Sequence, residues 1–287
     1  MEKATQPRAF YGSFFHAPAY GSFEYLERAL IEVGEDGAIE RVIAHDDPDQ
    51  AAALAKAREA GTLYELGEGR FGLPGFVDIH IHSPQWPQAA LALDEPLYRW
   101  LDERTFPLES KFADVDFAKK VYSDLVDQLL ARGSTTAVYL GSAHLEATVA
   151  LAEICAERGQ RALVGKTVMD DPAANPDYYR DASPEQAVRD TETLIREVEA
   201  IGRKSRAGAW PVITPRFIPS CTDEVPKAQV PTSRRTATKA SGNTTSCSSV
   251  SARPTRTPCA ISACCASTPS WRTAPTSPRR RARCSPS

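Results

Sequence analysis

Acidic residues are missing from the last part of this 287-residue chain. No Asp or Glu follows Glu224, whereas residues 225–287 contain nine Arg and two Lys, so this segment carries a charge of +11 and the first 224 residues carry −14. Large apolar side chains are also scarce there, because Ser, Thr, Pro, Arg and Ala make up 48 of the 63 residues. Such a composition buries too little apolar surface to offset the entropy of ordering. We predict that residues 225–287 form a disordered basic tail.

Long apolar runs and paired cysteines are equally scarce in the rest of the chain. No stretch is long and apolar enough for a membrane span, and the first residues have mixed charge with no apolar segment of signal-peptide length behind them. Only Cys155 and Cys221 precede the basic tail, and the five tail cysteines lack both CxxC spacing and a partner histidine. These absences argue against a disulfide framework and predict a cytoplasmic protein.

The first 70 residues have the pattern of a β-rich segment. Alternating apolar residues predict three strands and then a helix, at about 9–15, 26–33, 39–43 and 50–60. A Gly-Glu-Asp-Gly turn separates the second strand from the third. We interpret residues 1–70 as the N-terminal segment of a composite β-sandwich.

From Leu73 onward the pattern changes to an alternation of strands and helices. Strands are predicted at about 76–82, 135–140, 162–169 and 210–217, and helices at about 114–132, 145–158 and 184–201. An alternation of this kind indicates a parallel sheet or a (β/α) barrel. Four barrel strands are complete by Phe217, so the predicted fold class is α/β. Residues 71–224 would form the first half of a TIM barrel.

Two histidines stand out because they lie on the first of these strands. His80 and His82 are separated by one residue, so their side chains project from the same face of the strand. They lie at its carboxyl end, where barrel enzymes keep their active sites. Two imidazoles in this arrangement can share one metal ion. Paired core or surface histidines would give the same pattern, so the neighbouring residues decide the interpretation.

Motifs in three parts of the chain, residues 73–86, 165–170 and 214–221, carry a family resemblance. Residues 73–82 read Leu-Pro-Gly-Phe-Val-Asp-Ile-His-Ile-His, which resembles the first barrel strand of the amidohydrolase superfamily. Residues 82–86 (His-Ser-Pro-Gln-Trp) and 214–221 (Thr-Pro-Arg-Phe-Ile-Pro-Ser-Cys) resemble the guanine deaminase family within it, which residues 165–170 (Gly-Lys-Thr-Val-Met-Asp) also fit. The resemblance covers about residues 9–224. It implies an amidohydrolase-type barrel.

The resemblance also implies roles for five residues. His80 and His82 would bind zinc, one ion per subunit, while Gln85, Arg216 and Phe217 would hold the guanine base. The residue types suit a planar base with carbonyl and amino groups. They provide an amide that donates and accepts hydrogen bonds, a cationic fork for the carbonyl oxygen, and an aromatic face for stacking.

The activity that the family implies is the hydrolysis of guanine to xanthine and ammonia by a metal-activated water, in a homodimer. Family members take a proton-shuttling Glu from a His-x-x-Glu motif and further metal ligands from a later His and a later Asp. This chain has no His after His144 and no acidic side chain after Glu224. We therefore assign no catalytic acid–base residue and expect little or no turnover. Lys166 and Asp170 are expected to be structural or salt-bridged.

The basic tail invites a hypothesis of its own. Codons for residues 231–243, read in another frame, permit a Thr-His-x-x-Glu sequence, so the tail would be an out-of-frame translation of the second half of the barrel. A DNA sequence that excludes this motif in both other frames would reject the hypothesis. A barrel that stops after four strands leaves strand edges unpaired, which predicts an association-prone protein.

Two alternatives to guanine deamination remain open at this stage. One is another cyclic deaminase or chlorohydrolase of the same superfamily. The other is a non-catalytic protein whose basic tail binds nucleic acid or another polyanion. Against the second, the tail has a single aromatic residue, Trp271, and no recognisable nucleic-acid recognition fold.

Overall fold

The computed structural model of the protein describes residues 7–225. Its first part is a small sheet with one helix, made of β1 (Ala9–His16), β2 (Glu24–Val33), β3 (Ile39–Ile43), α1 (Gln50–Glu59), β4 (Leu63–Glu65) and β5 (Phe71–Gly72). Strands β1, β2 and β3 are antiparallel neighbours, whereas β4 and β5 run parallel to β1. Buried Leu30 and Ile43 pack with Ala57 of α1. The three strands and the helix predicted from alternation are confirmed.

The second part contains the longer helices and a parallel sheet. Its elements are β6 (Phe76–His82), α2 (Leu97–Trp100), α3 (Phe106–Glu109), α4 (Val115–Ala131), β7 (Ser134–Leu140), α5 (Leu145–Arg158), β8 (Arg161–Gly165), β9 (Thr167–Val168), α6 (Pro184–Lys204), β10 (Ala209–Pro211) and β11 (Thr214–Pro215). Strands β10, β8, β7 and β6 pair in this order, all parallel. The predicted α/β class with a parallel sheet is confirmed.

Local signals in the sequence explain where the long helices begin and end. The Asp114 carboxylate accepts the N–H groups of Asp116 and Phe117 at 2.9 and 3.2 Å and so caps α4. The hydroxyl of Ser183 caps α6 in the same way, and α5 ends at Gly159, whose φ of 76° is left-handed. The helices bury their apolar faces against the parallel sheet, which places the main core between them.

Two strands end earlier than their apolar patterns predicted. The strand expected over 162–169 divides into β8 and β9 at Lys166, and the strand expected over 210–217 divides into β10 and β11. The packing at Gly165 explains the division. A Cβ atom at this glycine would lie 1.9 Å from Thr214 Oγ1 and 2.4 Å from the Val212 carbonyl oxygen, so only glycine permits this close approach.

A hydrogen bond joins the turn between β2 and β3 to the second part of the protein. Arg206, in the loop between α6 and β10, donates from Nη2 to the Gly34 carbonyl oxygen at 3.2 Å. Among residues 7–225, no helix combines the length and the apolar character that crossing a bilayer requires. The predictions for the basic tail, namely disorder, a shifted reading frame and polyanion binding, concern residues outside this range, except for Val225, which is buried with Val168, Ala187 and Cys221. The segment boundaries at residues 70 and 224 stay predictions.

Candidate active site

The two predicted metal ligands converge at the carboxyl end of β6. The His80 and His82 rings meet edge to face, and their Nε2 atoms lie 3.2 Å apart. Two imidazole nitrogens bound at about 2.0–2.1 Å to one tetrahedral zinc ion would be about 3.3–3.4 Å apart. The observed separation therefore matches two ligand positions on a single ion.

The environment of His82 keeps its imidazole neutral. Burial, followed by the positive charge of Arg216, lowers the pKa of His82 to about 4. A metal ligand must be neutral imidazole, because a protonated ring has no free lone pair at either nitrogen. His82 is therefore in its metal-binding form at neutral pH.

The described residues do not complete a catalytic zinc site. Within residues 7–225, no group of three or more His, Cys, Asp or Glu side chains is arranged to hold a metal ion. A catalytic zinc ion takes three protein ligands and one water. Residues 226–287 contain five Cys but no His and no acidic side chain, and residues 1–6 contain one acidic residue, Glu2. The two histidines thus fit part of a zinc site.

Gln85 follows the histidines directly, on a 3₁₀ turn formed by Ser83–Gln88. Gln88, at the end of this turn, donates from Nε2 to Thr105 Oγ1 at 2.8 Å and so fixes the turn against the segment leading to α3. Gln85 itself donates from Nε2 to Glu109 Oε1 at 2.8 Å. The predicted base-binding amide is therefore held in one place by a carboxylate on another element.

Arg216 reaches the same carboxylate from the end of β11. Its backbone N–H donates to the Val168 carbonyl oxygen at 3.0 Å, which continues the pairing of β9 with β11. Its guanidinium forms a bidentate pair with Glu109, with Nη1 on Oε2 and with Nη2 3.1 Å from Oε1. The side chains of Arg216 and Glu109 are only 5% and 1% exposed. Although burial opposes the charge, Glu109 raises the pKa of Arg216.

Two aromatic residues complete the surroundings of this pair. The Arg216 guanidinium carbon lies 5.0 Å from the centre of the Phe106 ring, a distance that favours a cation–π contact. Tyr179 is fully buried beside Phe106, and its hydroxyl accepts the Ala143 N–H at 3.1 Å. Burial, with the nearby charge of Glu109, raises the pKa of Tyr179 well above its ordinary value. The tyrosine therefore stays protonated in this site.

Phe217 follows Arg216 directly, but its contacts do not test the predicted stacking role. Its side chain is half-buried, and its backbone N–H donates to Ser220 Oγ at 3.3 Å. Among the aromatic rings of residues 7–225, none pairs with that of Phe217, and the ring against Arg216 belongs to Phe106. The stacking role of Phe217 stays a prediction.

Lys166 and Asp170 are structural, as predicted. Lys166 Nζ lies 2.5 Å from Asp181 Oδ1, and both side chains are almost completely buried. The Asp170 carboxylate accepts the backbone N–H of Thr222 at 3.0 Å and its hydroxyl at 2.5 Å. Both contacts brace the loops that follow β8 and β9.

Glu109 is the residue that the sequence analysis missed. It lies on the four-residue helix α3, in a stretch for which no element was predicted, and the family motifs do not include it. Its only signal is a position among apolar neighbours, Phe106, Leu108 and Phe112, where an isolated acidic residue is unusual. That signal indicates a buried carboxylate, but it does not predict that Gln85 and Arg216 are its partners.

Comparisons with known proteins agree with the motifs. The chain is 38% identical over 226 residues to a guanine deaminase from Dictyostelium discoideum, covering 76% of this chain and 49% of that protein. It is 34% identical to a guanine deaminase from Homo sapiens, covering 75% and 46%. The structure of a guanine deaminase from C. acetobutylicum with bound guanine in the active site superimposes with a TM-score of 0.69 at 30% identity, covering 80% of this chain and 51% of that one.

These similarities extend over only part of each relative, since the chain spans about half the length of the curated relatives it matches. The model of the amidohydrolase family matches residues 71–240, which is more than half of this chain. The matched region includes β6 with its two histidines, the turn with Gln85, and Arg216. The chain belongs to the amidohydrolase family.

Proposed function

We propose that the chain carries the guanine-binding half of a guanine deaminase active site, the reaction being hydrolysis of guanine to xanthine and ammonia. The observation that best supports this is the set of hydrogen bonds by which Glu109 joins Gln85 to Arg216, close to His82. The similarity to guanine deaminases supports the same substrate.

Recognition of guanine follows from the groups that line the site. Arg216 donates one N–H from each terminal nitrogen to Glu109, and Nη1 also contacts Met169 Sδ at 3.9 Å. The second N–H of Nη2 and the Nε–H are the groups that could bind a ligand carbonyl oxygen. Gln85 adds a neutral amide that can pair with the N–H edge of a base. Phe217 would stack on the ring plane, which contributes about 1–3 kcal/mol per base in other proteins.

The metal part of the proposal concerns His80 and His82. They would hold one zinc ion per subunit, which when bound supplies the activated water that hydrolysis requires. This chain adds two imidazoles, and we assign no acid–base carboxylate to it. We therefore expect guanine binding without appreciable turnover. A cytoplasmic location and a homodimer for an intact family member belong to the same proposal.

Equilibrium dialysis of the full chain with labelled guanine tests the base-binding part. We expect Arg216→Met to weaken guanine binding by about tenfold to hundredfold, because a charged hydrogen-bond donor is lost. The matched control is Arg99→Met, which removes an exposed arginine paired with Glu103 and should leave binding unchanged. Equal guanine binding by the wild type and Arg216→Met would contradict the proposal.

Two further measurements test the remaining parts. Xanthine formation, followed with and without added zinc, should stay at the uncatalysed rate, and a clear zinc-dependent rate would contradict the expected loss of turnover. Competition by adenine, cytosine and a chlorotriazine tests the alternative of another cyclic deaminase or chlorohydrolase. If one of these compounds displaces labelled guanine at a lower concentration than unlabelled guanine does, that alternative is favoured.

A further inference from the structure

We propose that Glu109 is a positioning residue that fixes which hydrogen-bonding groups Gln85 and Arg216 present to the base, and that it thereby selects purines with a cyclic amide edge. The inference rests on the proposed function, because it concerns how the same site reads its ligand. It adds a residue that belongs to none of the three sequence motifs.

The orientation of the Gln85 amide follows from the chemistry of its partner. Carboxylate oxygens accept hydrogen bonds and do not donate them, so the Gln85 atom at 2.8 Å from Glu109 Oε1 must be the NH₂ group. The Gln85 carbonyl oxygen is consequently turned away from Glu109. A glutamine without this partner could present either end of its amide, whereas this one presents an acceptor.

The same carboxylate limits Arg216 to one orientation. Glu109 binds both terminal nitrogens, and a bidentate pair of planar groups allows little rotation. Gln85 Nε2 and Arg216 Nη2 share the Oε1 atom, at 2.8 and 3.1 Å, so the amide and the guanidinium lie side by side. The site therefore presents a hydrogen-bond acceptor and a cationic donor next to each other.

A ligand that satisfies both groups needs an N–H donor adjacent to a carbonyl acceptor. The N1–H and O6 groups of a 6-oxopurine form such an edge. A purine without the 6-oxygen has neither the carbonyl nor the N1–H, and would leave the buried Arg216 donors and the Gln85 oxygen without partners. Unpaired buried polar groups are the strongest basis for rejecting an analogue.

Binding selectivity distinguishes this role from a merely structural one. We would measure the affinity of the full chain for guanine and for 2-aminopurine, which lacks the 6-oxygen and the N1–H. We expect the wild type to prefer guanine, and Glu109→Gln to reduce the ratio of the two affinities by about tenfold or more, because the Gln85 amide is released and Arg216 loses its fixed partner. The matched control, Glu103→Gln, removes an exposed carboxylate paired with Arg99 and should leave the ratio unchanged.

The outcomes separate this inference from the proposed function. If Glu109→Gln weakens both ligands by the same factor, Glu109 only supports the fold and the inference is overturned while guanine binding stands. If the wild type binds neither purine, the proposed function fails and the ligand-reading role fails with it.

A measurement on the wild type covers the case in which Glu109→Gln does not fold. The side-chain amide signal of Gln85 in a ¹⁵N spectrum can be identified by its absence from Gln85→Met. We expect a signal displaced from that of free glutamine, with amide protons protected from exchange with water. A signal at the free-glutamine position would overturn the inference.

Discussion

Buried charges dominate the candidate site at the scale of single residues. Lys166 pairs with Asp181 and Arg216 with Glu109, and all four side chains are 5% exposed or less. Each carboxylate has an additional partner, since Asp181 accepts the Met169 backbone N–H at 2.8 Å and Glu109 accepts from Gln85. Charges removed from water must be paired and hydrogen-bonded, because the cost of desolvating them is several kcal/mol per ion. Loss of one partner should therefore cost far more than loss of a surface ion pair.

Substitution of Lys166 tests this expectation. Lys166→Met should lower the free energy of unfolding by about 3–5 kcal/mol, because Asp181 would be left buried with its charge unpaired. The control is Arg158→Met, which breaks the exposed pair with Asp127 and should cost less than about 1 kcal/mol. Urea denaturation followed by circular dichroism measures both. If Lys166→Met lowered the free energy of unfolding as little as the control does, the buried pair Lys166–Asp181 would be energetically unimportant.

A second prediction at this scale concerns pH. The pKa of His82 is about 4 in the folded protein and 6.5 for an unperturbed side chain. Between these values the unfolded state binds more protons than the folded state, so the free energy of unfolding should fall as the pH drops from about 6.5 to about 4. His82→Gln should reduce this slope, whereas the exposed His45→Gln should preserve it. Urea midpoints of the metal-free protein across this range would decide, and a slope unaffected by His82→Gln would contradict the prediction.

The sequence could indicate some residues of the candidate site and not others, for a physical reason. His80, His82, Gln85 and Arg216 belong to short motifs, and motif spacing reflects chemistry that requires those residue types. Glu109 is 107 positions from Arg216 and 24 from Gln85, so its role exists only once three elements have packed together. No local sequence pattern encodes the contact of Glu109 with Gln85 and Arg216.

Close contacts between elements depend on particular glycines. On α6, a Cβ atom at Gly202 would lie 2.1 Å from the Ala209 carbonyl oxygen at the start of β10. Ala normally stabilises a helix interior by about 1 kcal/mol relative to Gly. Here the contacting atom is backbone, so α6 and β10 would have to separate. Overpacking of this kind typically costs about 1–3 kcal/mol.

We therefore expect Gly202→Ala to lower the free energy of unfolding, the opposite of the usual effect in a helix. Glu192→Ala, at an exposed position of the same helix, should change it by no more than about 0.5 kcal/mol. Chemical denaturation of the two variants measures the difference. Stabilisation by Gly202→Ala would mean that α6 and β10 are less closely packed than the structure shows.

The elements differ in how much of them could be read from sequence. The bounds of β6 and α5 match the prediction because each has a uniform apolar pattern with turn or capping residues at its ends. The division of β8 from β9 at Lys166 could not be read, because the apolar pattern continues through it. It depends on the Thr214 and Val212 atoms that crowd Gly165 from a later strand.

At the scale of the whole molecule, the parallel sheet formed within residues 7–225 has an edge strand with exposed apolar residues. Strand β6 pairs with β7 alone among the strands of residues 7–225, and its Val77 and Ile79 side chains are 62% and 72% exposed. Exposed apolar residues on an edge strand form a template for association with another copy. We therefore expect the association predicted from four barrel strands to occur at this edge.

Sedimentation velocity at increasing protein concentration measures this association. We expect the full chain to form larger species as concentration rises, and Val77→Lys with Ile79→Lys to shift it toward the monomer, because charges on an edge strand oppose pairing. Tyr20→Lys, which replaces a fully exposed aromatic residue between β1 and β2, is the matched control and should associate like the wild type. A full chain that stays monomeric at all concentrations would contradict the predicted association.

The hydrogen bond from Arg206 to Gly34 has a consequence for the order of events during synthesis. Its two residues are 172 positions apart. At about 5–20 residues per second, the ribosome adds Arg206 roughly 9–34 s after Gly34. Strands β1, β2 and β3 pair locally and can form microseconds to milliseconds after they emerge. The small sheet can therefore form many seconds before this hydrogen bond to the second part of the protein exists.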